Sequence, residues 1–200
     1  MRIITITNKS KCYEEINSLL VILSALAIAL EYRKTGTAVY KKGEHIALEG
    51  HSLKEKIKLP IYGPIEVALI DKKPSEINIE IAELDKVNQS SKLSIGVLEK
   101  TIYFIFMPIF VNFYENNISH FEKLYGKSYD QWPIAWRMAW VVRNAMAHNG
   151  NVYFKNLKTL QITWNNITIS PLDQNKELKQ FLNFTDTLIL LFDMEESLKH

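Results

Sequence analysis

Three side chains near residue 145 have the types and the spacing that proton transfer beside an anion requires. Arg143 and His148 stand five residues apart in the stretch WRMAWVVRNAMAHNG, and Asn144 follows the arginine directly. An imidazole can give or take a proton near neutral pH, because its ordinary pKa is about 6.5. A guanidinium is planar and permanently charged, so it suits the oxygens of a phosphate. The stretch is therefore a candidate site for chemistry on a phosphate-containing substrate.

The helix predicted over this stretch has an unusual second face. At about 100° per residue, the apolar side chains between Ile134 and Met146 occupy one half of the helical wheel. The opposite sector contains, in angular order, Arg143, Trp136, Ala147, Trp140, Asn144, Arg137 and His148. Solvated helix faces rarely carry two large aromatic side chains, and an exposed aromatic patch usually marks an interface. The sector predicts a binding site or a subunit contact.

A simpler interpretation stays open beside this one. Trp136 and Trp140 can pack beneath another helix of the same chain while Arg143 bridges to a carboxylate. A histidine in the last turn of a helix then does no more than interact favourably with the helix dipole. On that interpretation the chain is a purely structural helical protein.

Local patterns predict the elements that position this sector. Apolar periodicity with start and stop residues predicts helices over residues 10–34, 90–117, 116–126, 130–149 and 174–198. Gly36 is expected to close the first helix, and Pro108 to kink or break the second.

One β-hairpin is predicted before the last helix. In LQITWNNITIS, residues 160–170, an Asn165-Asn166 turn pairs Trp164 with Ile167 and places the alternating apolar residues on one face. Residues 37–85 contain short apolar runs broken by glycine and proline, which predict an irregular or partly β insertion. The expected fold class is mainly α, a helical bundle with this hairpin at about 160–170.

Length and composition describe an ordinary globular chain. Two hundred residues predict a single domain over 1–200, and the net charge of +2 does not by itself indicate a polyanion partner. The single cysteine, Cys12, excludes an internal disulfide. The apolar segments 19–30 and 101–110 are interpreted as buried helices of a soluble protein, and no signal peptide is evident. We expect a cytoplasmic protein with no membrane partner.

The histidines and the cysteine show no metal-ligand spacing, and the chain contains no glycine-rich phosphate loop. No metal and no cofactor are therefore expected.

The segment RNAMAH, residues 143–148, resembles the Arg-x4-His signature of the HEPN superfamily, in the form where a polar residue follows the arginine. The following Asn149-Gly150 and the mainly helical layout are similar to that superfamily as well. The resemblance implies a HEPN-like helical bundle that forms a homodimer, with two copies of the motif meeting across a cleft.

Members of the superfamily that keep the motif are often metal-independent ribonucleases of toxin–antitoxin or phage-defence systems. The resemblance thus implies RNA as substrate and an antitoxin or defence protein as a possible partner. Some members carry, two residues after the histidine, a tyrosine that a partner enzyme modifies. Gly150 occupies that position here, so control by that route is not expected.

The resemblance also implies roles for individual residues. Arg143 and His148 carry catalysis, and Asn144 supports them by orienting the histidine. Ala147 is small enough to let two chains approach closely. Trp136, Trp140 and Arg137 either stack on an unpaired base or form the dimer seam, and the seam is the preferred role for the tryptophans.

A different functional class remains as the alternative. In a non-catalytic HEPN-like module that binds RNA, a nucleotide or a protein partner, Arg143 and His148 serve binding or the dimer seam.

Overall fold

The chain divides into two units that are built differently. The computed structural model describes residues 1–37, 44–50, 52–70, 72–83, 97–155 and 161–199. Unit 1 comprises Met1–Glu49 with Glu55–Leu84, and unit 2 comprises Gly50–Lys54 with Asp85–His200. The expectation of one domain over residues 1–200 stays a prediction.

Unit 1 contains a four-stranded antiparallel sheet with the strand order β1–β4–β3–β2. The strands are β1, Arg2–Thr7; β2, His45–Glu49; β3, Glu55–Pro60; and β4, Glu76–Glu83. The alternating sequence of β4 buries Ile77, Ile79 and Ile81 and leaves the residues between them more exposed. A slip of one residue in register would expose all three isoleucines, so this alternation fixes the pairing with both neighbours.

Two helices complete unit 1. Helix α1, Tyr13–Thr35, ends at Gly36, whose φ of 73° and N–H bond to the Tyr32 carbonyl oxygen confirm the predicted stop. Helix α2, Tyr62–Ala68, packs against α1. By length and composition alone, the segment Tyr13–Tyr32 is apolar enough to cross a membrane, but core helices and signal sequences have the same properties. The expectation of a protein without a membrane partner stays a prediction.

The sheet shows that the predicted fold class is wrong. The protein is mixed α/β and not mainly α, because residues 2–7 and three strands within 37–85, the segment predicted to be an irregular or partly β insertion, form one regular sheet. Within that insertion, residues 38–43, 51, 71 and 84–85 lie outside the described residues. Strand β1 pairs with β4, about seventy to eighty residues later in the chain. Local periodicity carries no information about pairing between strands so far apart in the sequence. The sheet could therefore not be predicted from the sequence pattern.

Unit 2 is built around a long helix, α3, Val97–Tyr125. Pro108 lies within this helix and does not break it, and the separate helix predicted at 116–126 is its continuation. The predicted start of this helix, residues 90–96, lies outside the described residues. Gly126, with a φ of +82°, follows the last turn.

Helix α4, Ile134–Ala147, lies between α3, the hairpin and the last helix of the chain. A short 3-10 turn, Tyr129–Gln131, stands where the sequence predicted its first turn. The predicted core face is confirmed at its centre, since Met138, Val141 and Val142 are fully buried.

The β-hairpin is confirmed in position and register. Strands β5, Ile162–Trp164, and β6, Ile167–Ile169, pair as predicted, with Trp164 opposite Ile167. Residue 160, which the hairpin prediction included, lies outside the described residues. A two-residue turn fixes such a pairing locally, so the sequence pattern was sufficient.

The last helix, α5, Phe184–Glu196, begins about ten residues later than predicted. One 3-10 turn, Leu178–Gln180, lies in the predicted first part, and another, Pro171–Asp173, lies just before it. Asn183 caps α5: its side chain accepts the N–H of Asp186, and the Asp186 carboxylate accepts the N–H of Asn183. The buried Asp186 carboxylate also accepts the backbone N–H groups of Ser52 and Leu53.

Candidate functional site

The candidate site lies where α4 ends, in unit 2. His148 is the C-cap residue, and Asn149 and Gly150 follow it with φ angles of 57° and 79°. The N–H of Gly150 donates to the carbonyl oxygen of Ala145 at 2.8 Å, which is the long bond of a Schellman motif. The helix therefore stops at a defined residue and presents His148 at its end.

Arg143 is held by a carboxylate that the sequence analysis did not identify. Its Nε–H donates to Oε1 of Glu115 on α3, with 2.6 Å between the two atoms. The Arg143 side chain is 39% exposed and that of Glu115 is 43% exposed, so the ion pair lies at the surface and not beneath the tryptophans. Solvent screens such a pair, and its contribution to stability is small. Its geometric effect is to fix one edge of the guanidinium.

Asn144 contacts Arg143 and does not orient the histidine. Its Oδ1 accepts a long hydrogen bond of 3.4 Å from Nη1 of Arg143. Within the described residues, no hydrogen bond joins Asn144 to His148. The structure therefore brings Arg143, Asn144 and Glu115 together, and it leaves His148 without a recorded contact to any of the three.

The imidazole of His148 stacks instead on the phenol ring of Tyr153. The ring centroids are 3.6 Å apart, and the ring planes differ by 23°. His148 is exposed, and Tyr153 is partly buried. One face of the imidazole is thus covered by an aromatic ring, while the residue as a whole stays accessible to solvent.

Trp136 differs from the other residues of the predicted polar sector because it belongs to the core. It is 0% exposed and stacks on Phe121, with 4.0 Å between centroids. Its indole N–H donates to the carbonyl oxygen of Met194 at 3.2 Å. A side chain buried in this way can neither stack on a base nor form a dimer seam. The simpler interpretation, packing beneath other helices of the same chain, holds for this tryptophan.

The remaining members of the sector reach the surface to different degrees. Ala147 is exposed, while Trp140 and Arg137 are partly buried. Both contact Tyr129: Trp140 meets the ring edge-on at 5.1 Å, and the guanidinium of Arg137 lies over it at 5.0 Å. Trp140, Arg137 and Tyr129 thus form an aromatic and cationic group, and its two members on α4 lie about two and three turns before His148.

Burial changes the acid–base behaviour of two tyrosines near this group. It raises the pKa of Tyr129 to about 12, although the nearby Arg137 opposes the shift. Burial also raises the pKa of Tyr114, which packs against Trp136. Both phenols are therefore neutral at physiological pH, and neither is a candidate general base.

The arrangement provides a cation and an exposed imidazole for anion binding and proton transfer. In the described part of the chain, no three His, Cys, Asp or Glu side chains lie together as a metal site would require. Glu115 and Tyr153 are the two contact residues that sequence reasoning missed. Glu115 carried no signal, since it lies 28 residues before Arg143 in another helix. Tyr153 comes after the turn that ends α4, and the sequence does not specify the path of the chain through that turn.

Comparisons with protein-family models, with curated proteins and with solved structures each found no match to this chain. A proposal for the function of this chain therefore rests on the geometry of the candidate site and on the Arg-x4-His pattern.

Proposed function

We propose that the chain is a metal-independent RNA endonuclease of the HEPN type that acts as a homodimer. The observation that carries the proposal is the surface position of both signature side chains: Arg143 is more than one-third exposed, and His148 is exposed at the end of α4. Exposure leaves both groups accessible to a substrate.

The proposed reaction uses the 2′-hydroxyl of the RNA as its nucleophile. A general base takes the proton of that hydroxyl as its oxygen attacks the neighbouring phosphorus, and a general acid protonates the 5′-oxygen as the bond between it and phosphorus breaks. The products are a 2′,3′-cyclic phosphate and a 5′-hydroxyl. Arg143 stabilises the charge on the phosphate oxygens during the attack.

A homodimer supplies the second proton-transfer group. One chain offers a single histidine of the signature, whereas the reaction needs one acid and one base. Two copies of His148, one from each subunit, satisfy that need. The exposed Ala147 beside His148 is small and permits close approach of a second chain.

A cleavage assay with matched histidine variants tests the proposal. The purified chain, its His148→Ala variant and its His120→Ala variant are incubated with structured RNA and a chelator, and their masses are measured by light scattering. His120 is an exposed histidine on α3 and serves as the control. We expect dimers of all three proteins, with cleavage by the wild type and by His120→Ala only. Cleavage by His148→Ala at the wild-type rate, or a monomeric wild type, contradicts the proposal.

A non-catalytic binding module is the second candidate, and the ion pair between Arg143 and Glu115 favours it. A carboxylate 2.6 Å from Nε offsets positive charge that catalysis needs more than binding does, because negative charge builds up on the phosphate oxygens during the attack. In such a module, RNA or a nucleotide binds at the surface of α4 and is released unchanged. RNA binding by the wild type without cleavage, and its loss in Arg143→Ala, would favour this candidate.

A further inference from the structure

We infer that Tyr153 is the positioning residue of the candidate site, because its ring holds the imidazole of His148 in one orientation. The inference rests on the proposed function, since the orientation matters only if His148 transfers protons. Within the described residues, the stack is the contact recorded for the His148 ring, and no hydrogen bond is recorded that would fix the ring from another side.

The chain path brings Tyr153 to the histidine. The left-handed residues Asn149 and Gly150 reverse the chain after α4. The side chains of Val152 and Phe154 are buried, at 0% and 2% exposure. Tyr153, between these two anchored neighbours, is only partly buried, so part of its side chain reaches the surface where His148 lies.

Backbone hydrogen bonds hold this short segment against residues 174–178. The N–H of Val152 donates to the Lys176 carbonyl oxygen at 2.8 Å, and the N–H of Asn175 donates back to the Val152 carbonyl oxygen at 2.9 Å. The N–H of Phe154 donates to the Gln174 side chain at 2.8 Å. Tyr153 is thus a fixed platform, whereas His148 is a terminal side chain of a helix.

The stack restricts rotation of the imidazole and leaves its uncovered face and nitrogen edge for substrate. Proton transfer depends steeply on such alignment, because the donor and acceptor atoms must lie within hydrogen-bonding distance. Tyr153 acts through His148 and touches no reacting atom. It therefore takes the orienting role that the sequence suggested for Asn144.

Two substitutions separate this role from general packing. Tyr153→Phe keeps the ring, and Tyr153→Leu keeps apolar bulk without it. For RNA cleavage we expect kcat within about twofold of wild type for the phenylalanine variant and about tenfold lower for the leucine variant, with KM little changed in both. Tyr32→Leu, at a tyrosine 62% exposed in unit 1, is the matched control and should leave both constants unchanged.

A measurement that needs no activity accompanies the kinetics. The Hε1 proton signal of His148, assigned by its loss in His148→Ala, should be displaced upfield by the Tyr153 ring in the wild type and in Tyr153→Phe. In Tyr153→Leu the displacement should disappear. Wild-type kcat in Tyr153→Leu overturns the inference and leaves the nuclease proposal standing. A displaced signal in a wild type that cuts no RNA removes the nuclease proposal and, with it, the positioning role.

Discussion

At the scale of single residues, two anions compete for the guanidinium of Arg143. One is the carboxylate of Glu115, and the other is the phosphate that the proposed reaction requires. The carboxylate fixes the Nε edge at 2.6 Å and leaves the guanidinium partly exposed. The same negative charge repels a phosphate approaching the exposed edge. Glu115 therefore orients the arginine at a cost in affinity for anions.

Replacement of Glu115 by glutamine tests this balance. Because the repelling charge is removed, we expect Glu115→Gln to bind a 2′-deoxy-substituted RNA about two- to fivefold more tightly, the range that an exposed ion pair of up to about 1 kcal/mol allows. Glu196→Gln removes an equal charge from a surface pair with Lys199 and is the control. Filter-binding titration at low salt measures the affinities. Equal or weaker binding by Glu115→Gln would argue against competition.

The two tryptophans of α4 should differ in their effect on stability. Trp136 is fully buried, so Trp136→Ala should lower the free energy of unfolding by about 3–5 kcal/mol. Trp140 is partly buried, so Trp140→Ala should lower the free energy of unfolding by less than Trp136→Ala does. Urea unfolding followed by circular dichroism gives both values. Equal losses for the two variants would show that Trp136 does not have its core position.

At the scale of elements, the end of α4 controls where His148 and Tyr153 lie. Gly150 has a φ of +79°, and an added Cβ would contact nothing within 4 Å, so a substitution there acts through the backbone alone. A left-handed conformation costs a residue with a Cβ about 1–2 kcal/mol.

Gly150→Ala should therefore lower the free energy of unfolding by about 1 kcal/mol. Gly36→Ala provides a second example, because φ there is +73° and an added Cβ also meets nothing within 4 Å. That change should lower the free energy of unfolding by a similar amount, for the same reason. Urea midpoints of the two variants and of the wild type give the comparison, and unchanged midpoints are the contrary result.

Elements specified by nearby residues could be predicted from the sequence, and those specified at long range could not. The hairpin over 162–169 follows from its two-residue turn and alternating side chains. Helix α5 was predicted too early because Asp173, an acceptable helix cap, instead caps a 3-10 turn with Ser170. The helical wheel of α4 placed Arg143 and Ala147 correctly near the surface, but it could not show that α3 and α5 cover Trp136.

The whole molecule contains a sheet that connects residues 2–7 with residues 76–83. Strand β1 pairs with a strand about seventy residues away, so this part of the sheet forms only as tertiary structure, and the mainly α prediction failed on the sheet. Arg143, Asn144 and His148 could be selected from the sequence because they lie within about one and a half turns of one predicted helix, and their role as a site stays a prediction. The contacts of these residues with Glu115 and Tyr153 depend on the fold.

The tyrosines predict how stability depends on alkaline pH. Burial raises the pKa of Tyr129 to about 12 and raises those of Tyr103 and Tyr114 as well. An unfolded chain releases these protons near pH 10, whereas the folded chain retains them. The stability that these neutral phenols contribute is therefore fully present below about pH 10 and is lost as the pH rises toward 12.

Urea unfolding of the wild type and of Tyr114→Phe at pH 8 and pH 11 checks this dependence. We expect the wild type to lose more of its free energy of unfolding between the two pH values than the variant, which has one titrating phenol fewer. Identical losses would mean that Tyr114 titrates normally in the folded chain.

The most direct test of the central claim compares RNA with DNA of the same sequence, each incubated at neutral pH with a chelator and either the wild type or His148→Ala. We expect the wild type to cut RNA alone, leaving 2′,3′-cyclic phosphate and 5′-hydroxyl ends, and His148→Ala to cut neither. Cleavage of the DNA, or RNA cleavage that survives the loss of His148, would contradict it.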